Sequence, residues 1–74
     1  MDIQNLVGMA NRIGQFFESF SDREEALQGI GNHLHKFWEP RMRRELLRHF
    51  DERAGEGLSP IVSETLGVHR SMLS

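Results

Sequence analysis

Lys36-Phe37-Trp38-Glu39-Pro40-Arg41-Met42-Arg43-Arg44 packs the only Trp of the chain, one of its two Pro and three of its Arg into nine residues. Pro40 decides what stands on either side of it. The residue before a proline is pushed out of the helical region, so a helix arriving from the N-terminal side stops near Trp38. At the first position of a helix a proline is tolerated, because the N–H it lacks would have no partner there, so a new helix opens at Pro40 with Glu39 as a modest cap. Met42, Leu46, Leu47 and Phe50 then keep the helical period, and Gly55 with Gly57 gives a stop.

Upstream, Leu6, Val7, Ala10, Ile13, Phe16, Phe17 and Phe20 recur at three- and four-residue steps and mark one face of a helix that Asp2 can cap. Gly8 and Gly14 weaken such a helix by about 1 kcal/mol each against Ala, which points to a neighbour approaching closely at both. Ser21-Asp22-Arg23-Glu24 has the form of a capping box, so a second helix starts at about Asp22, with Leu27, Ile30, Leu34 and Phe37/Trp38 inward. Gly29 and Gly31 fall inside its pattern and read as close packing, since a dinucleotide fingerprint needs a preceding strand and a fuller glycine spacing. Downstream, Ser59-Pro60 repeats the cap-plus-proline signature and opens a short helix with Leu58, Ile61, Val62 and Leu66 inward and Gly67 as its stop. No segment alternates with period two between turn signals. The expected fold is all-α: a small bundle of three main helices plus a short C-terminal helix, one domain over residues 1–66, with residues 67–74 frayed.

A chain of 74 residues buries only about 60% of the surface its unfolded form exposes, so its own core is marginal. Chains of this size gain stability from disulfides, a metal or a partner, and the absence of Cys removes disulfides, thiolate zinc and Fe–S ligation together. A partner is left. Met1 to Asn5 shows no basic start followed by an apolar run, and no window approaches a membrane span of roughly 18 apolar residues, so the expected location is cytoplasmic with no membrane contact.

The side chains that draw attention as chemistry have plainer explanations. His33 and His35 lie two apart, so on a helix they diverge and cannot share an ion. Glu24/Glu25 and Asp51/Glu52 are adjacent and diverge likewise, unlike a converging acid–base pair. The serines lack a base with an orienting group, and Ser21 and Ser59 already have capping work. These readings leave the chain without a catalytic site of its own.

On a wheel of roughly 100° per residue, Arg43 falls inside the apolar arc of Met42, Leu46, Leu47 and Phe50, whereas Arg41, Arg44 and Arg48 fall on the opposite face. An Arg on an apolar face needs carboxylates, carbonyls or a phosphate for its five donors, so Arg43 should have a fixed partner: Glu39 or Asp51 internally, or a group on another protein. Trp38 and Phe37 are core plugs at the helix corner or the aromatic centre of an interface; in so small a bundle one is expected inside and the other against a partner. A helix-turn-helix reading of the basic helix meets interleaved acids at Glu45, Asp51 and Glu52 and an acidic net charge of −2, so nucleic acid is not the expected partner.

Asn5-Leu6-Val7, Met9-Ala10-Asn11 and Ile13, then Gly31-Asn32-His33-Leu34, then Lys36 to Arg43, and finally Gly57-Leu58-Ser59-Pro60-Ile61-Val62 together resemble the small delta subunit of soluble, NAD-dependent molybdenum or tungsten formate dehydrogenases. The likeness runs from about Asp2 to Leu66, and the Lys36-to-Arg43 block is its most specific part. The resemblance implies a non-catalytic accessory subunit with no cofactor of its own, in a cytoplasmic complex that oxidises formate and reduces NAD. The implied partner is the alpha subunit, with its bis-pyranopterin guanine dinucleotide metal cofactor, and through it the beta and gamma subunits with Fe–S clusters and FMN. The implied role is assembly and stability of alpha, with cofactor insertion or retention as an extension. On that reading Phe37, Trp38, Arg41, Arg43 and Arg44 face the partner, the rings giving area and the arginines meeting carboxylates or cofactor phosphates. A self-associating helical module is the alternative.

Overall fold

Asp2 starts the first helix by accepting the Gln4 N–H at 2.9 Å, and in a computed structural model describing residues 1–74 four helices follow in order: α1 (Ile3–Phe17), α2 (Arg23–Phe37), α3 (Pro40–Arg53) and α4 (Pro60–Val68). A 3₁₀ turn at Arg70–Met72 closes the chain, and there is no strand. Both prolines stand at the first position of their helices, and Trp38 takes an extended conformation that ends α2. No helix is long and apolar enough to cross a membrane.

The α2 start departs from the expected capping box. Asp22, one residue beyond Ser21, is the cap, and its Oδ1 accepts the Glu25 N–H at 3.3 Å. An ionised carboxylate at this end suits the helix dipole better than a hydroxyl, and Glu24 is engaged elsewhere, with Gln28 at 3.1 Å and His69 at 2.8 Å. Neither Glu39 nor Ser59 makes a side-chain capping bond, and the Ser59 hydroxyl is buried without a partner.

One apolar core joins all four helices through Leu6 and Ala10, Ala26, Leu27, Ile30 and Leu34, Leu46 and Leu47, and Ile61, Val62 and Leu66. Close approach is real at Gly14, where a Cβ would lie 2.7 Å from Val62 Cγ2, and absent at Gly8, which has open space around it. The α3–α4 connection turns through Ala54, Gly55 and Gly57, all with positive φ. It is tied down from α1 by one side chain: Asn11 Nδ2 donates to Gly57 O at 2.9 Å, and Asn11 Oδ1 accepts the Ser59 N–H at 2.9 Å.

Residues 67–74, expected to fray, are instead ordered: Gly67 and Val68 continue α4, and residues 69–74 fold back onto the bundle. Leu73 is 1% exposed and belongs to the core. His35 Nδ1 lies 2.8 Å from Met72 O, and Arg70 grips Asp51 with two bonds of 2.8 and 2.6 Å. Buried Leu73, half-buried Met72 and a set of polar ties hold what composition alone reads as a tail.

Candidate docking surface

The α2–α3 corner uses its two most distinctive side chains internally. Trp38 is 5% exposed and its ring belongs to the core. Ending α2 there leaves its last carbonyls without helical partners, and Arg43, one turn into α3, reaches back to supply two of them. Its Nη1 donates to His35 O and to Trp38 O, both at 2.8 Å, and its Nε donates to Leu73 O at 3.2 Å. The fixed partners expected for Arg43 are therefore backbone carbonyls, neither Glu39 nor Asp51. A cation beside a helix C-terminus also meets the negative end of that helix dipole. Arg43 is a cap for α2 delivered from α3.

Of the five side chains assigned to a partner by sequence, Phe37, Arg41 and Arg44 are exposed, while Trp38 is enclosed and Arg43 is half-buried with three carbonyl bonds. Phe37 is 71% exposed and stands against the His33 ring, with centroids 4.8 Å apart. It is one end of a longer feature. Phe16, read from sequence as part of the inward face of α1, is 66% exposed. It meets the Phe17 ring edge-on at 5.0 Å, and Phe17 meets Phe20 at 5.0 Å. Phe17 lies where a Cβ on Gly29 would be, so that glycine lets the α1 ring settle onto α2.

Between these two aromatic groups runs an open groove of about 390 Å³ lined by Arg12, Ile13, Phe16, Phe17 and His33. Phe20, Phe17 and Phe16, the groove, His33 and Phe37 thus form one strip along the α1–α2 edge. Sequence reasoning missed its centre: Phe16 lies about 80° from the middle of the α1 apolar arc, at its rim, which is where a helical residue leaves the core.

A second groove, of about 550 Å³, runs along α3 and is lined by Arg43, Arg44, Arg48 and Arg70 with Leu47 and Leu73 among its walls. Asp51 is the only acidic side chain in it. Hydrogen bonds from Arg70 hold the Asp51 carboxyl below the usual carboxylate range, and the same pairing raises Arg70. No three His, Cys, Asp or Glu side chains stand close enough to hold a metal ion. The arrangement offers contact area and fixed charge, the means of holding another macromolecule.

Residues 5–66 match the family described as NADH-dependent formate dehydrogenase delta subunit, FdsD. No curated protein and no solved structure matches the chain. The chain belongs to the formate dehydrogenase delta subunit family.

Proposed function

We propose that this member of the delta subunit family is a non-catalytic accessory subunit that docks onto the alpha subunit of an NAD-dependent formate dehydrogenase complex in the cytoplasm. Its role is to support assembly and stability of the alpha subunit and, through that contact, insertion or retention of the metal-pterin cofactor. The metal, Fe–S and flavin chemistry belongs to the other subunits, and a chain without Cys has no thiolate ligands for a cluster.

The observation that carries this reading is the aromatic strip. Large rings left in water cost a small chain both solubility and core, whereas aromatic side chains concentrate at the centres of interfaces. At roughly 200 Å² for a full ring, Phe16 and Phe37 together leave on the order of 270 Å² uncovered. That is well below the ~800 Å² a side of a stable interface, so the strip is the apolar centre of a larger contact. Phe37, Arg41 and Arg44 remain the partner-facing members of the corner, while Trp38 and Arg43 shape it from inside.

The test is a tagged formate dehydrogenase complex carrying Phe16→Ser with Phe37→Ser in this chain. The expected result is loss of the small subunit from the purified complex and a fall in formate-dependent NAD⁺ reduction. Retention at wild-type stoichiometry with full activity would overturn the proposal, as would a tight homodimer of the isolated chain by light scattering.

A further inference from the structure

The arginine groove of α3 holds more positive charge than the fold uses. Arg70 is matched by Asp51 through two short bonds. Arg43 is surrounded by carbonyls, so its donors are satisfied while its charge is not neutralised. Arg48 has Glu45 at 3.5 Å, beyond a good charge-assisted bond, and Arg44 forms no ion pair. The same charges do nothing for α3 itself. Arg43 and Arg44, with Arg41 outside the groove, crowd the beginning of a helix whose first turn has no acidic residue, where the backbone dipole disfavours cations.

We infer that this groove seats an acidic segment of another subunit, with carboxylates at about 6 Å spacing set against Arg44 and Arg48 over the Leu47 wall. The inference rests on the subunit role proposed above and adds a second, chemically distinct contact to it. The shape of the site selects the ligand. Arg44 and Arg48 are one helical turn apart on a single helix, a separation of about 6 Å along the axis, so their guanidinium groups are strung out along the groove. A phosphate asks for donors that converge on one point; a peptide bearing successive carboxylates asks for donors in a row. The walls also contain Leu47 and Leu73, which an apolar side chain between two acids can meet and a phosphate cannot use. The Arg70–Asp51 pair shows the mode of recognition, a guanidinium fork closed on both carboxylate oxygens at 2.8 and 2.6 Å.

The two surfaces divide the work of docking. The aromatic strip supplies area that salt does not screen, and the groove supplies charge that steers and orients. The experiment is Arg44→Glu with Arg48→Glu in the tagged complex, with subunit retention measured over a series of salt concentrations. Both side chains are exposed and outside the core, so an unchanged melting curve verifies folding; Arg44→Gln with Arg48→Gln serves if the reversal disturbs it. At low salt the reversal should weaken retention by about tenfold or more. Wild-type retention should decline as salt rises, while the variant should be nearly insensitive to it. A synthetic peptide of alternating Glu and Leu should displace the subunit, and inorganic pyrophosphate at equal charge should not.

Wild-type retention by the reversal variant at every salt concentration would overturn the inference, as would pyrophosphate displacing the subunit as well as the peptide does. If that happens while Phe16→Ser with Phe37→Ser still strips the subunit, the acidic-segment inference falls and the accessory role stands. If neither variant affects retention, both fall.

Discussion

Trp38 and Phe37 are neighbours in sequence, and one is 5% exposed while the other is 71% exposed. Around Trp38 the polypeptide closes on itself: Arg43 caps the end of α2 by donating to His35 O and Trp38 O, and Leu73 completes the core. Around Phe37 it stays open, with the His33 ring tilted against it and the groove leading to Phe16 beyond. The difference separates two duties that a short sequence motif blends. The corner holds the bundle together, and the strip is where the bundle has apolar surface to offer.

The most severe way to break this division is Trp38→Ala, which removes the largest core side chain at the point where α2 and α3 meet. A loss of about 3–5 kcal/mol is expected, a large fraction of the roughly 5–15 kcal/mol that a domain possesses, and it should be read as collapse of the helical circular dichroism at a much lower temperature. A melting point near wild type would mean that the corner is not where stability resides. Arg43→Met comes next, leaving three carbonyls without their donor at a cost of roughly 1–3 kcal/mol in urea unfolding. Lys at this position should recover only part, because an ammonium lacks the planar fork that reaches both sides of the corner.

Phe16→Ser with Phe37→Ser sharpens the contrast from the other side. The isolated chain should keep its stability to within about 0.5 kcal/mol even though the complex loses the subunit. Equal damage to fold and to docking would erase the distinction between the two regions. Trp38 and Arg43 are poor probes of docking for the same reason, since their removal disturbs the fold before any contact can be assessed.

The smallest effect concerns the Arg70–Asp51 tie. Arg70 lowers the Asp51 pKa chiefly through its hydrogen bonds; desolvation opposes this, and the Arg70 charge adds a smaller lowering. A lowered folded pKa gives a contribution that is fully present above the ordinary carboxylate value of about 3.9 and is lost as pH falls through the lowered one. Leu73 methyl resonances followed from about pH 6 to about pH 2 should therefore shift only in strong acid. Asp51→Asn should abolish that step. A shift near neutrality would place the anchoring of the tail on other groups.

The helices were legible because proline, caps and apolar period act locally: Pro40 and Pro60 open their helices, Asp2 caps the first, and Trp38 ends the second. The α2 cap was misread by one residue because Ser21 with Glu24 and Asp22 with Glu25 satisfy the same spacing. What escaped the sequence depended on long-range contact. Nothing near Arg43 in sequence announces that its partners are His35 O, Trp38 O and Leu73 O, and the last of these lies in a segment whose composition suggests no structure. Met72 and Leu73 are two apolar residues in an otherwise polar segment with no helical period, and only the tertiary fold gives them a place. Of the candidate surface, the exposed Phe37, Arg41 and Arg44 beside Pro40 were legible, whereas its extent across α1 was not. Joining Phe16 to Phe37 takes the packing of α1 on α2, which the Phe17–Gly29 contact permits.

An open strip of phenylalanines also fixes how a surplus copy of this chain fares. Until a partner covers Phe16 and Phe37, each newly made molecule shows the kind of apolar patch that promotes aggregation and attracts chaperones and proteases. Once covered, that mark disappears. If the strip is the docking surface proposed above, a cell making more of this chain than there are places for it would clear the excess through the same surface, and the ratio of subunits would be set by turnover as well as by synthesis.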